Sequence, residues 1–521
     1  MKIETIAVLG CGTMGAGIAQ AALSAGCAVV LYDISAAALD GARERIGAGL
    51  GKQGRAAAGA RLRTATHLNE IAGVALVVEA APEQLELKRE LFAKAGALCP
   101  GPAIVASNTS SLPIAALAAA CPDPQRVAGL HFFNPVHRMA LVEVVRAAAT
   151  DDTTVDALLA FARQLGKTPV LARDTPGFIV NRVARPYYGE ALRLLGERVA
   201  AHDAIDLVLQ QAGGFPLGPF ALMDLIGIDI NFAVTRSIYD QSFGEPRYRP
   251  HPIQQQMVLA GRLGRKTGRG FYEYDSHQSP VTSHESISSD LATADCQLPT
   301  GSVLLSSGSW APTVAGLCAA AGLTITAELP YDRGAPIAAA FMVAGRGEGG
   351  PDQLMILDRQ LSPETPIVAQ CADTTASDLA ALLNHPERLV GFDGLFTDGA
   401  ITLAASPVLA APARAAADAL IRGLGRAPVW VADSPALIVP RVVAMLANEA
   451  AFALGEGVAE AATIDTAMRL GANHPIGPLA RAEVLGYDKI VALLDHLYAE
   501  YGEERYRVAL ALRRAARVGR F

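Results

Sequence analysis

Short apolar runs alternate with longer amphipathic stretches over about the first 190 residues. IAVLG (6–10), AVVLYD (28–33), LVVEAA (76–81), AIVASN (103–108) and VAGLHFF (127–133) are each followed by a segment with apolar positions at helical spacing. That alternation predicts βαβ units on a mostly parallel sheet. From about Asp174 the strand-like runs stop and helical patterns take over, as in VARPYYGEALRLLGERVA (183–200). A Ser- and His-rich stretch, DSHQSPVTSHESISSD (275–290), marks a linker. Beyond it the alternation returns weakly through 300–405, and helical patterns run to the end.

The pattern also repeats. LGKTPVLARDTPGFIVNRV (165–183) matches LGRAPVWVADSPALIVPRV (424–442), an offset of 424 − 165 = 259. AIDLVLQQAGGFPLGPFALMDLIG (204–227) matches TIDTAMRLGANHPIGPLARAEVLG (463–486), and 463 − 204 is again 259. A shared register over two segments predicts a duplicated architecture. It comprises an α/β Rossmann-type domain (1–185), an all-α domain for substrate binding and dimerisation (186–274), a linker (275–295), a degenerate Rossmann-like domain (296–410) and a second all-α domain (411–521). Between RVAGLHFFNP (126–135) and RLVGFDGLFT (388–397) the offset is 388 − 126 = 262, which sets Asp393 at the place of His131 and Ala405 at that of Glu143. At 259, Pro440 takes the place of Asn181. What persists is Pro, Gly and apolar pattern, so the second half reads as catalytically silent packing.

Composition narrows the class. The 521 residues carry a formal charge of −7 with no basic run, so there is no electrostatic case for nucleic acid. Seven scattered cysteines without a CxxC pair or an adjacent histidine fit reduced thiols and exclude a zinc framework. The chain enters a strand at once, and no stretch reaches the roughly 18 apolar residues of a membrane span, so a soluble cytoplasmic protein is expected.

Candidate chemistry begins at IAVLGCGTMGAG, where Gly10, Gly12 and Gly15 follow a strand and open a helix. Gly10 permits the tight turn, Gly12 lets a pyrophosphate approach, and Gly15 lets helix and strand pack closely, with the helix N-terminus facing the phosphates. Asp33 ends the next strand, 33 − 15 = 18 residues on, where a carboxylate binds ribose hydroxyls and repels a 2′-phosphate. NAD is therefore expected over NADP; a plain tight turn with a capping aspartate is the alternative. The second half's glycine cluster, VAGRGEGG (343–350), ends no clear strand and opens no apolar helix, so no dinucleotide is expected there.

Downstream, VAGLHFF delivers His131 into a loop, and Glu143 sits among buried-strand valines in ALVEVV. A carboxylate there needs a partner. If the two strands are adjacent, Glu143 can fix the imidazole tautomer and stabilise the imidazolium. SNTSSL (107–112) ends another strand, where ligands of open α/β sheets bind, although capping of a helix by Ser110 or Ser111 would explain it equally. Asn181 lies at the start of the first long helix.

Taken together, GxGxxG with Asp33, SNTSSL, GLHFFNP…LVEVV, DTPGFIVNR and GRKTGRGFY resemble the L-3-hydroxyacyl-CoA dehydrogenases over residues 1–274. The resemblance implies oxidation of an L-3-hydroxyacyl-CoA to the 3-oxoacyl-CoA with NAD, His131 as base and Glu143 as its partner. It implies that Ser110 and Asn181 contact the substrate near the reacting carbon, with Asn134 beside them. Around NAD it implies Gly10, Gly12, Thr13, Met14, Gly15, Asp33, Glu83, Lys88, Asn108, Ser110 and Lys266, and for CoA it points to Lys52 or Arg55. No metal is implied. The two-copy form resembles dehydrogenases of phenylacetate catabolism acting on 3-hydroxyadipyl-CoA, with 3-hydroxybutyryl-CoA the alternative substrate. Gulonate-type dehydrogenases and an NAD-binding regulator are the other readings. A duplicated helical domain implies a dimer-like contact within one chain, or a homodimer or higher oligomer.

Overall fold

The computed structural model describes residues 2–274, 302–308, 311–326, 337–396 and 398–521, with the side chains at 52–58 and 346 outside that set. The expected linker, 275–295, lies outside the described residues.

Eight strands form the first sheet: β1 (Thr5–Leu9), β2 (Ala28–Tyr32), β3 (Leu62–Ala65), β4 (Leu76–Glu79), β5 (Ile104–Ser107), β6 (Val127–Phe132), β7 (Leu141–Arg146) and β8 (Thr168–Arg173). Their order is β3-β2-β1-β4-β5-β6-β7-β8. Every pair is parallel except β6–β7. Strands β4, β5 and β6 are buried along their whole length, as expected of a parallel sheet covered on both faces, and this is why they stand out as continuous apolar runs.

Two strands escaped the pattern. β3, LRTA, buries only Ala65, and β8, TPVLAR, carries Pro169. Both are edge strands. A proline costs no ladder bond on an edge, and partial exposure blurs the apolar signal. Among the described cysteines, Cys11, Cys27, Cys99, Cys121, Cys318 and Cys371 are free thiols. No helix among the described residues is long and apolar enough to cross a membrane.

A second sheet contains β9 (Ser302–Leu305), β10 (Ile325–Thr326), β11 (Ile337–Met342), β12 (Ile367–Gln370), β13 (Leu389–Phe392), β14 (Ala400–Ala405) and β15 (Ala427–Ala432). Its order is β10-β9-β11-β12-β13-β14-β15, again with one antiparallel pair, β13–β14. The expected domain boundary at 410 falls inside this sheet, because β15 follows it. The glycine cluster 343–350 also differs from expectation: it directly follows β11 and leads into the helix Gly350–Gln360. The weak apolar signal of IAAAFM, three alanines between Ile337 and Phe341, hid that strand.

The chain condenses into two compact units that are not consecutive in sequence. One holds Met1–Ala184, Asp240–Phe243 and Phe452–Leu479; the other holds Arg185–Tyr239, Gly244–Ala451 and Ala480–Phe521. In the first unit the late helix Ala461–Gly471 packs on β7, β8 and the short helix Val180–Val183, and the Arg173 N–H donates to the Val458 carbonyl (2.9 Å). In the second unit the early helix His202–Gln211 packs on β14, and the Ala432 N–H donates to the Val199 carbonyl (2.8 Å). These bonds correspond: 432 − 173 and 458 − 199 both equal 259.

A chain ending near residue 290 would lose Phe452–Leu479 and uncover apolar surface on β7 and β8. Such a truncation is expected to aggregate or self-associate in light scattering, whereas a monodisperse active monomer would contradict the packing described.

Candidate active site

The antiparallel register of β6 and β7 sets His131 directly opposite Glu143. The two side chains meet, with His131 Nδ1 2.6 Å from Glu143 Oε2. Glu143 is wholly buried, and its second oxygen, Oε1, accepts the backbone N–H groups of Ile179 (3.1 Å) and Val180 (3.0 Å). A charge removed from water is tolerable only when so partnered. Because an ionised carboxylate only accepts, the proton between the two side chains belongs to Nδ1, which leaves Nε2 as the basic nitrogen. Phe133 and Phe178 flank the ring, at centroid distances of 4.6 and 5.8 Å.

The donors to Glu143 come from an unusual turn. Gly177 and Phe178 both adopt positive φ, 79° and 50°, and for phenylalanine this is strained backbone. The turn aims successive N–H groups at one oxygen. Asn181 follows, and its side-chain amide reaches the Ser110 carbonyl at 3.5 Å. His131, Glu143, Ser110 and Asn181 all lie in one compact unit, His131 bonded to Glu143 and Asn181 to the Ser110 carbonyl.

The SNTSSL loop is held by acidic side chains. Glu83 Oε1 accepts from the Thr109 hydroxyl, the Ser110 and Ser111 N–H groups (3.3 and 3.2 Å) and the Ser111 hydroxyl (2.8 Å). Burial works against its charge, but the Lys88 ammonium and these hydroxyls outweigh it and hold the Glu83 carboxyl below the usual range. Lys88 is only 1% exposed, and its ammonium meets Glu79 (2.6 Å), the Ala81 carbonyl (3.0 Å) and Glu83 (3.2 Å). With three protons and three acceptors, Lys88 acts on the loop through Glu83 and presents no open donor for a cofactor. The Asn108 side-chain oxygen accepts the Phe132 N–H (2.9 Å) and ties the loop to β6. Capping by Ser110 or Ser111 is not what is observed. Asp174 caps the helix Ile114–Ala118 through the N–H groups of Ile114 (3.0 Å) and Ala115 (2.8 Å).

At the glycine loop, Gly10 has φ of 97°, and a Cβ on Gly15 would lie 1.9 Å from the Gly10 carbonyl oxygen. A Cβ on Gly12 would meet nothing within 4 Å. Gly10 and Gly15 are thus demanded by the fold, and Gly12 faces open space where a ligand backbone-to-phosphate contact requires it. Gly12 caps the helix Thr13–Ser24 without a side-chain bond, so its first N–H groups keep their capacity for an anion; Thr13 and Met14 are its first two residues. Asp33 Oδ2 accepts the Cys11 N–H (3.0 Å) and Oδ1 the Ser35 N–H (3.0 Å). Burial opposes its charge, but these backbone donors prevail and hold Asp33 below the ordinary carboxylate range, ionised and ready to accept from ribose hydroxyls. The donor set therefore fits a dinucleotide.

Other expected residues lie elsewhere. Lys266 belongs to the second unit, where its ammonium pairs with Asp229 (2.5 Å). Asn134 is exposed in the loop three residues past His131 (134 − 131). The side chains of Lys52 and Arg55 are outside the described residues.

Sequence reasoning missed Glu79, the amides of Ile179 and Val180, and Gln241, whose side-chain amide donates to the Ser111 carbonyl (2.7 Å). Only Glu79 carried a signal, as an acid closing the buried strand LVVE.

In the second sheet the alignment of the first needs correction. Asp393 N–H donates to the Thr402 carbonyl (3.0 Å), so Thr402, not Ala405, lies opposite Asp393 in the place of Glu143. An offset of 402 − 143 = 259 applies past the β13–β14 turn. Asp393 is fully buried; its Oδ1 accepts the Leu395 and Phe396 N–H groups (3.0 and 3.2 Å), and its Oδ2 has no hydrogen-bond partner among the described residues. Desolvation pushes the carboxyl up to about 7.

Comparison with known proteins fits this geometry. Residues 5–175 match the family described as "3-hydroxyacyl-CoA dehydrogenase, NAD binding domain", and 177–274 and 437–521 each match its C-terminal domain. The chain is 39% identical to the 3-hydroxyadipyl-CoA dehydrogenase of Escherichia coli K12 over 99% of its own length and 98% of the relative's. This chain belongs to the 3-hydroxyacyl-CoA dehydrogenase family. A probable 3-hydroxybutyryl-CoA dehydrogenase of Bacillus subtilis is 40% identical, spanning 54% of this chain and 100% of that protein. A crystal structure of E. coli K12 3-hydroxybutyryl-CoA dehydrogenase superposes with a TM-score of 0.80 at 38% identity, covering 99% of both chains. The chain is therefore an NAD-dependent oxidoreductase of this family, and its glycine loop and Asp33 lie within the part that matches the NAD-binding domain.

The Asp393 carboxyl gives a stability prediction. Its folded-state value, about 7, is above the ordinary aspartate value of 3.8, so the native state holds this proton more tightly. Protonation then contributes stability fully below about pH 4, and the contribution fades as pH rises to about 7. Denaturant titrations at pH 5 and 8 should show a smaller pH difference for Asp393→Asn than for the wild type; equal differences would contradict the assignment.

Proposed function

We propose that the chain oxidises the 3-hydroxyl of an L-3-hydroxyacyl-CoA, with His131 as general base, Glu143 as its partner, and Ser110, Asn181 and Asn134 beside the reacting carbon. The observation that carries this reading is the 2.6 Å contact between His131 Nδ1 and the sealed Glu143 carboxylate. His131 Nε2 takes the hydroxyl proton, and Glu143 stabilises the imidazolium so formed. In the reverse direction the imidazolium returns that proton to the 3-keto oxygen. NAD, when bound, supplies the hydride acceptor. The glycine loop, the helix N-terminus and Asp33 hold its phosphates and ribose, and the Glu83-braced loop with Asn108 and Ser110 closes the same side of the sheet. Lys266 and Lys52 are further candidates for cofactor and CoA contact.

For substrate we favour 3-hydroxyadipyl-CoA, supported by full-length similarity to the E. coli enzyme of that name. 3-Hydroxybutyryl-CoA is the second reading, since the superposed E. coli crystal structure is of a protein named 3-hydroxybutyryl-CoA dehydrogenase.

We also read the chain as an internal duplication that makes its dimer-like contact within itself. Supporting this are the two sheets of like order, the C-terminal family pattern matched twice and the paired Arg173–Val458 and Ala432–Val199 bonds. In the second unit Tyr248 donates to Glu449 (2.6 Å) and Tyr506 to Glu190 (3.1 Å), another exchange between repeats, as 449 − 190 = 259. On this reading the sequential domains are an NAD-binding domain, a helical domain and a second pair of the same kind. A cytoplasmic location suits this chemistry.

NADH consumption with acetoacetyl-CoA and with 3-oxoadipyl-CoA tests the proposal. Higher kcat/KM on 3-oxoadipyl-CoA, and a loss of about 10²–10⁴ in kcat for His131→Gln, are expected. Preference for acetoacetyl-CoA would favour the second reading, and a fully active His131→Gln would remove His131 as base.

A further inference from the structure

Phe452–Leu479 lies in the half of the chain that lacks the His–Glu pair, yet it belongs to the compact unit that contains that pair. Its contacts fall on the elements that build the Glu143 environment. The Glu456 carboxylate pairs with Arg182 at 2.8 Å, and the Arg182 side chain is only 4% exposed. Arg182 is one residue beyond Asn181 and two beyond Val180, whose N–H binds Glu143 Oε1. At Gly471, the last residue of the helix Ala461–Gly471, a Cβ would lie 2.6 Å from Leu141 and 2.8 Å from Val180. Leu141 opens β7, the strand carrying Glu143, and Val180 is one of the two amide donors. The segment therefore grips both sides of the Glu143 carboxylate, the strand that presents it and the turn that caps it.

We infer that Glu456 and Gly471 are positioning residues for the His131–Glu143 pair, so that the second repeat is a working part of the first repeat's active site. Glu456 anchors the turn 178–182 through Arg182, and Gly471 lets its helix lie close against the Leu141 and Val180 side chains. Neither touches substrate. The proposal rests on the reading of His131 and Glu143 as the reacting pair.

A matched contact separates positioning from simple stabilisation. In the second unit Arg441 pairs with Glu197 at 2.8 Å, and 441 − 182 and 456 − 197 both equal 259. Among the described residues of that unit no His–Glu pair stands across β13 and β14, where Asp393 faces Thr402. Glu456 is about half exposed but Arg182 is buried, so removing Glu456 takes one ionic partner from the buried guanidinium and lets it shift, and the melts below read what that costs in stability.

The experiment is steady-state kinetics on the full chain for Glu456→Ala, Glu456→Gln, Gly471→Ala, Glu197→Ala and His131→Gln, with thermal melts of each. Glu456→Ala and Gly471→Ala should lower kcat about tenfold or more while KM for NADH stays within about twofold. Glu456→Gln, which keeps an acceptor, should recover part of the loss. In Glu456→Ala the rising limb of the oxidation pH profile should move to higher pH, because Glu143 with weaker amide donors holds the imidazolium more strongly. Glu197→Ala should leave kcat and the profile as in wild type. If Glu456→Ala and Gly471→Ala match Glu197→Ala in kcat and pH profile, the positioning role is overturned. If Glu456→Ala does not fold, Gly471→Ala decides on the same criteria. An active His131→Gln would instead remove the reading of the pair and would be recognised independently of the other variants.

Discussion

A carboxylate with no exposure to water must be surrounded by donors or it will not stay charged, and Glu143 is in that position. The demand shapes everything near it. An antiparallel pair in an otherwise parallel sheet sets His131 across from it, and a strained turn at Gly177 and Phe178 directs two amides at its other oxygen. Once those amides are engaged, the remaining oxygen can serve His131 alone. A buried carboxylate accepting from the ring fixes which imidazole nitrogen is protonated, and so which one is basic. The geometry is fixed before substrate arrives, which is where a base in a dehydrogenase gains its efficiency.

Much of this was visible in the sequence. The five strands with continuous apolar runs lie inside the sheet rather than at its edges, and β4, β5 and β6 are buried along their whole length. The glycine loop was readable because Gly10 and Gly15 answer steric demands that few other residues meet. Glu143 stood out as an acid among valines, and its meeting with His131 required only that their strands be neighbours.

What stayed hidden has physical reasons. Edge strands β3 and β8 carry mixed or proline-bearing sequences because one side of their ladder is unpaired. The amides of Ile179 and Val180 are backbone groups, and no side chain announces them. Lys88 looked like a cofactor ligand because a lysine among acids is a reasonable phosphate contact, but burial turns it into a brace for Glu83. The second half was read as inert because it lacks the His and Glu. Its contacts to the unit that holds them, through Glu456, Gly471 and the Val458 carbonyl, reach residues between 456 − 182 = 274 and 471 − 141 = 330 positions away and leave no local signature. The registration error at Ala405 arose from carrying one offset through a turn three residues shorter in one copy; the strand pairing, which answers to hydrogen bonds, restored Thr402.

The most direct test of the central claim is the protonation of the His131 ring in the resting protein, read by nitrogen NMR of ¹⁵N-histidine-labelled wild type with His131→Gln to assign the signals. The account predicts a neutral ring protonated at Nδ1, hydrogen-bonded to Glu143, with an unprotonated Nε2. A ring protonated at Nε2 instead would mean that Glu143 does not set the tautomer, and the assignment of His131 as base would fall with it.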